Sequence, residues 1–282
     1  MNALDWHVVH AGRGFAIIAK LMRQPPAPPI RGADVSGVVE AVGKDVTLFG
    51  PGDEVFGIGR GTFAEYTVAV ERGLQHKPAE LSFEQAGAIG VAAQAALQAV
   101  RDHGRVRPGD RVLVHGAGGG VGTFAVQFAR ALGAHVTALT SARNVEVVRS
   151  LEPDRVLVLS DDGFRHDRYD VIVDVASTRS IRSMLRLLTP AGRYVVTGAP
   201  KGSTIGLLLR VAWARTLARF DRRVINFDAR IKRDDLATVA RMIVAGKVRV
   251  AIDRTYPLDE AAEAVRYVGT GQARAKVVVT VP

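Results

Sequence analysis

An α/β fold, a doubly wound parallel sheet accompanied by a smaller β-rich lobe, is what this 282-residue sequence predicts. Three observations carry that expectation. Arg111–His115 is a short apolar run followed by five glycines between positions 116 and 122, then by Val121, Phe124, Ala125, Phe128, Ala129 and Leu132 at helical spacing. From there to position 197 strand-like and helix-like segments alternate, the pattern of parallel strands joined by crossover helices. Between Gly32 and Val70, by contrast, glycine-punctuated valine-rich segments show no helical period.

Taken in chain order, Gln24-Pro25-Pro26-Ala27-Pro28-Pro29 is a connector that can be neither helix nor central strand. Val35, Val38, Val39, Val42 and Val46 read as strand, Gly50-Pro51-Gly52-Asp53 as a turn, and Thr62–Val70 as an alternating strand. Ser82 with Gln85 three residues on is a capping box that opens a helix, and alanine-rich sequence follows to His103. Strands are expected at 111–115, 134–140, 155–159, 170–175 and 193–197, with helices to 132, at 143–151 and at 178–188. The tail reads as helix Asp234–Ala245, strand Val248–Asp253, helix Leu258–Val268 and strand Lys276–Val281. These elements divide into a β-rich lobe (1–82), a doubly wound domain (83–230) and a return to the first lobe (231–282).

A strand, a glycine turn and a helix make the context in which a dinucleotide binds. Without side chains the backbone can approach a pyrophosphate, which then lies on the N–H groups of the helix N-terminus. The strict G-x-G-x-x-G spacing is absent. What stands here is Gly116-x-x-Gly119-x-x-Gly122, with Gly118 and Gly120 in addition, so that Gly116, Gly119, Gly120, Val121 and Gly122 are the candidate pyrophosphate residues. The ribose-reading position lies about 20 residues beyond the fingerprint. There the chain has Thr140-Ser141-Ala142-Arg143-Asn144 and no carboxylate, and a hydroxyl with a guanidinium suits the 2′-phosphate of NADP better than the bare diol of NAD.

Composition narrows the classes. No cysteine is present, which excludes disulfides, thiolate metal ligands and a thiol nucleophile. No apolar run reaches the roughly 18 residues of a membrane span, and Asp5 and His7 interrupt any signal-peptide core, so a cytoplasmic protein without a membrane partner is expected. The formal charge of +10 is spread along the chain, and no nucleic-acid-binding motif accompanies it. Its densest part, Arg210–Arg233, alternates basic with apolar residues as a solvated helix face does.

The whole pattern resembles the medium-chain dehydrogenase/reductase superfamily, in its zinc-independent quinone oxidoreductase-like branch. The resemblance rests on Gly32-x-Asp34-x-x-Gly37-Val38-Val39, Pro51-Gly52-Asp53-x-Val55-x-Gly57, Phe63-Ala64-Glu65-Tyr66 and Pro108-Gly109-Asp110 running into the glycine turn. It closes with Gly246-Lys247, Tyr256-Pro257-Leu258 and Lys276-Val277-Val278-Val279. It implies a Rossmann domain, a GroES-like lobe built from both chain ends, and a cleft where substrate meets nicotinamide. It further implies that Gly119, Gly120, Val121 and Gly122 hold the pyrophosphate, Ser141 and Arg143 the 2′-phosphate, and Thr197-Gly198-Ala199 the nicotinamide. Asn226 and Phe227 match a segment that closes over the cofactor, and Asn2, followed by Asp5 and Trp6, matches an asparagine of the active-site cleft. A homodimer through the Rossmann domain is expected by analogy.

Zinc-dependent members have Gly-His-Glu where this chain has Gly32-Ala33-Asp34, and the seven histidines show no ligand pairing; His115 and His135 read as satisfied strand residues. Without a Lewis acid, hydride transfer from NADPH to a quinone or an α,β-unsaturated carbonyl is the expected chemistry. Solvent or a tyrosine returns the proton, with Tyr66 as candidate donor set against a packing role in its strand.

Several positions depart from the family pattern. Relatives carry a few dozen residues of β-structure before the point matching Asn2. A helix near Gly90–Ala95 that usually holds a proline and a threonine has Gly90 and Ala95, and a tyrosine near the adenosine phosphate is replaced by Leu159. The rival expectation is therefore a catalytically impaired NADPH-binding protein, a sensor or degenerate relative.

Overall fold

The computed structural model describes residues 1–10, 30–160, 164, 167–197 and 213–281. The chain forms two compact units, Met1–Gln94 with Ile231–Gly246 and Ile252–Pro282, and Ala95–Arg230 with Lys247–Ala251.

The second unit is built on a six-stranded sheet. In chain order its strands are β4 (Arg111–His115), β5 (His135–Thr140), β6 (Arg155–Val158), β7 (Tyr169–Asp174), β8 (Leu188–Val196) and β9 (Val224–Asn226). They lie in the order β6-β5-β4-β7-β8-β9, and every pair is parallel. Parallel strands buried on both faces need continuous apolar runs, and Val112, Leu113, Val114, Val171, Ile172 and Val173 supply them at the centre. The chain reverses between β4 and β7, so the C-terminal ends of these two strands flank the crevice where ligands of such sheets bind. Helix α4 (Gly120–Ala131) follows β4 directly and packs Phe124 and Phe128 inward. The short helices α5 (Val145–Arg149) and α6 (Ile181–Leu185) follow β5 and β7.

The first unit holds an antiparallel sheet, β1 (Asp34–Val38), β2 (Glu54–Ile58) and β3 (Leu74–His76), and a parallel pair, β10 (Ile252–Pro257) and β11 (Lys276–Thr280). Its helices are α1 (Ala3–His10), α2 (Phe83–Gly87), α7 (Arg233–Val244) and α8 (Ala261–Gly269), and α3 (Gly90–Leu97) runs across the division at Gln94. Ser82 caps α2 as its spacing predicts: the Gln85 N–H donates to the Ser82 hydroxyl and the Ser82 N–H to the Gln85 amide.

Four expectations are corrected. Thr62–Val70 is not a strand; only a bridge between Arg60 and Val68 forms, and Val68 and Val70 stay exposed. Alternation makes a strand only where one face has something to pack on. Val39, Val42 and Val46 likewise lie outside β1, which ends at Val38. The strand expected at 248–253 begins at Ile252 because the backbone of Arg249 is already engaged. Its N–H donates to the Gln127 side chain at 2.8 Å and its carbonyl accepts from the same amide at 3.0 Å. The helices expected at 143–151 and 178–188 shrink to α5 and α6, with Ala142–Asn144 forming a tighter 3₁₀ turn first.

Candidate functional site

Glycines at the β4–α4 turn answer to different constraints. Gly116 has φ of +91°, and a methyl group on it would meet the Ala176 backbone nitrogen at 2.9 Å. A methyl on Gly118 would lie 2.5 Å from the Asn144 side chain, and one on Gly122 would run into the Gly116 carbonyl oxygen. These three are required by the protein's own packing. Gly119 is different. Its φ is −93°, open to any residue, and a methyl there would meet nothing nearer than the Gly116 carbonyl at 3.6 Å.

Gly119 is also the N-cap of α4 and supplies no side-chain oxygen to the first-turn N–H groups. The space kept clear at this helix start, with uncapped donors facing it, suits a pyrophosphate. Beside it, the Asn144 side chain is buried and its Oδ1 has no hydrogen-bond partner among the described residues. An orphaned buried acceptor needs a donor, which a ribose hydroxyl provides. The residues present therefore fit a dinucleotide, with Gly119, Gly120, Val121 and Gly122 at the pyrophosphate and Ser141, Arg143 and Asn144 beyond β5.

Other expected cofactor residues lie at the same sheet ends. Thr197 follows β8, and its N–H donates to the Asp174 carbonyl at 3.2 Å. Asn226 ends β9 opposite Val196, while Phe227 stacks on the His103 ring with centroids 4.0 Å apart. Gly198 and Ala199 lie outside the described residues.

In the first unit Asn2 belongs to a buried charge cluster. Its Oδ1 accepts from Lys276 Nζ at 2.8 Å and its Nδ2 donates to Asp34 Oδ2 at 3.0 Å, so neighbouring charges set which end of the amide faces which group. Lys276 Nζ also donates to Asp34 Oδ2 at 2.7 Å, and Asp34 Oδ1 accepts the Val91 N–H at 2.7 Å. Lys276 is 2% exposed, possible for a lysine only because its charge is paired. Burial alone would raise the Asp34 carboxyl; the Lys276 and Met1 ammonium charges, with bonds from Lys276 and Val91, outweigh it and hold the group below the ordinary carboxylate range. The Met1 α-amino group is pushed down to about 6 by burial first and by Lys276 next. Asp5 completes the cluster from the first turn of α1, where its carboxylate accepts the Asn2 backbone N–H at 2.7 Å.

Tyr66 does not join this network. It is 73% exposed, which corrects its packing role in a strand, and it lines with Asp34, Val35 and Phe63 a cavity of about 700 Å³ within the first unit.

Comparison with known proteins gives the family. A model described as alcohol dehydrogenase GroES-like domain matches residues 1–79, and one described as zinc-binding dehydrogenase matches 146–279. Mitochondrial NAD(P)H oxidoreductase RTN4IP1 of Mus musculus is 32% identical over 322 residues, covering 100% of this chain and 79% of the relative. The chain belongs to the medium-chain dehydrogenase/reductase superfamily. The quinone oxidoreductase from Coxiella burnetii superposes with a TM-score of 0.83 at 29% identity, over 100% of this chain and 87% of that one. The spectinabilin polyketide synthase system protein NorB of Streptomyces orinoci is 34% identical across 96% of this chain, which spans only 13% of NorB's length.

As a member of the medium-chain dehydrogenase/reductase superfamily the chain is a nicotinamide-dependent oxidoreductase with a Rossmann-like and a GroES-like part. The zinc named in one family description does not fit its donor set. The chain has no cysteine, no three of its described His, Asp and Glu side chains gather as metal ligands, and both Asp34 oxygens are committed to Lys276, Asn2 and Val91.

Lys276 and Asn144 differ in how far the sequence marks them. Lys276 opens the apolar run Lys276-Val277-Val278-Val279, and a cation leading a buried strand signals a buried partner. Asn144 carried no such signal, because its burial against Gly118 arises only when β4 and β5 lie side by side.

Proposed function

We propose that this protein reduces quinones or α,β-unsaturated carbonyls with NADPH and without zinc. The observation that carries the reading is the space held open at Gly119 beside the Asn144 side-chain oxygen, which has no hydrogen-bond partner among the described residues. Preference for NADPH follows from Ser141 and from Arg143, an exposed guanidinium, with no carboxylate at positions 140–144. Zinc independence follows from the donor set of the Asp34 cluster.

Bound NADPH supplies a hydride. The chain's own contribution is positioning and charge stabilisation. Asn2 commits one N–H to Asp34, and we assign its second N–H to the acceptor's oxygen, where negative charge develops. Lys276 and Asp34 keep that amide from turning. Proton return is assigned to solvent or to the exposed Tyr66 hydroxyl.

The test is NADPH oxidation against naphthoquinones and short enones, with and without a chelator. Turnover with either class, unchanged by the chelator, is the expected result. Tight NADPH binding with no turnover on any acceptor would instead support a protein that binds the cofactor without catalysis. Arg143→Ala should raise the KM for NADPH about tenfold or more by losing charge-assisted bonds, while the KM for NADH stays put. Equal effects on both cofactors would refute the 2′-phosphate assignment.

A further inference from the structure

Below the glycine turn lies a second polar network. His115 ends β4, Asp174 ends β7 and Tyr194 lies in β8, and all three are fully buried. Asp174 Oδ2 accepts from the Tyr194 hydroxyl at 2.5 Å and Oδ1 accepts the Ser177 N–H at 2.7 Å. His115 Nδ1 lies 2.9 Å from Asp174 Oδ1 in a bent contact, and its Nε2 lies 3.0 Å from the Thr178 hydroxyl. Thr178, unlike the others, is exposed.

The placement of the chain follows from Gly116. His115 immediately precedes it, and the segment 175–178 packs so closely that a Gly116 methyl would touch both the Ala176 nitrogen and its Cβ. Thr178 therefore stands at the same C-terminal sheet edge as the dinucleotide turn, within one unit.

The proton arrangement follows from chemistry. Two bare acceptors at 2.9 Å repel, so Nδ1 carries a proton toward Asp174. That carboxylate is held below its ordinary range: burial opposes the charge, but the contact and attraction of the His115 ring, with the bonds from Tyr194 and Ser177, prevail. With the ring proton on Nδ1, Nε2 is the acceptor of the pair, and the Thr178 O–H turns inward to donate to it. The Thr178 oxygen is left with its lone pairs directed outward. Such a group takes a hydrogen bond from a sugar hydroxyl, which has a proton to give, and not from an ionised phosphate oxygen, which has none.

We propose that Thr178 binds a ribose hydroxyl of the nicotinamide dinucleotide, and that the buried His115–Asp174 pair is the positioning device that holds its hydroxyl as an acceptor. The inference rests on the nicotinamide-dependent reading above and adds a contact and its polarity to it.

The experiment is direct titration of NADPH and NADH onto wild type, Thr178→Val, Thr178→Ser and His115→Phe, with and without Thr178→Val, followed by kcat and KM for each folded form. Thr178→Val should weaken both cofactors about five- to tenfold, the measure of one hydrogen bond, and raise the KM of each in step. Thr178→Ser should restore binding. His115→Phe should weaken binding alone yet add nothing in the Thr178→Val background, because it acts through that hydroxyl. Wild-type affinity in Thr178→Val, or equal losses from His115→Phe in both backgrounds, would overturn the proposal while leaving the cofactor reading intact. Failure of the wild type to bind either cofactor would instead remove the reading beneath it. Should His115→Phe not fold, the exposed Thr178 pair decides the question by itself.

Discussion

Gly119→Asp should abolish NADPH binding, weakening it more than a hundredfold, while leaving the protein as stable as the wild type or slightly more so. The backbone at Gly119 has ordinary negative φ, and a Cβ there meets only the Gly116 carbonyl at 3.6 Å. Aspartate is a good N-cap, worth a few tenths of a kcal/mol or more over glycine, and suits the positive end of α4. Its carboxylate would occupy the pyrophosphate's place and repel its charge. Gly122→Ala is the control with the opposite signature. Its methyl would strike the Gly116 carbonyl oxygen, a backbone atom, so the turn itself must shift at a cost of about 1–3 kcal/mol. Denaturant unfolding and NADPH titration on the two variants separate the roles. A Gly119→Asp protein that still binds NADPH would show that the turn serves some other purpose.

Lys276→Met should destabilise the first unit by roughly 3–5 kcal/mol. It removes the cation that pairs with Asp34 in a site where both side chains are almost wholly enclosed. Among the described residues that buried carboxylate is then left with the Met1 ammonium, 3.9 Å away, as opposite charge. Adding Asp34→Asn should recover a substantial part of the loss, since the amide carbonyl can still accept the Val91 N–H without carrying charge. The pH dependence has a definite sign. A carboxyl held below its unfolded value stabilises the fold above the ordinary carboxylate range and loses that contribution as pH falls through its folded value. The gap between wild type and Lys276→Met should therefore narrow in acid and stay wide at neutral pH. Equal unfolding midpoints at neutral pH would mean that the pair contributes nothing net. The same variant tests the positioning of Asn2, because the amide loses the ammonium that fixes its oxygen.

Much of this protein is written in its local patterns. The apolar run Arg111–His115, the glycines after it and the helical spacing that follows determine the β4–α4 unit by themselves, because strand, turn and helix are each set by neighbouring residues. The capping box at Ser82 is equally local. The parallel sheet follows from alternation of such units. Thr62–Val70 had the alternation of a strand without the partner, and a strand is a property of two chains side by side.

What only the tertiary structure decided are the relations between residues far apart in sequence. Gly119 looks like Gly116, Gly118 and Gly122 on paper; the folded turn alone separates those three, which the protein needs for packing, from Gly119, which it leaves open. Lys276 and Asp34 are 242 residues apart and meet where β1 and β11 bring both ends of the chain into one unit. His115 and Thr178 acquire a shared proton only because β4 and β7 are hydrogen-bonded neighbours. Periodicity is a one-dimensional signal that records how much of a side chain is to be buried. Which atom it is buried against, and therefore which charges pair and which hydroxyl faces outward, is settled only when the elements pack.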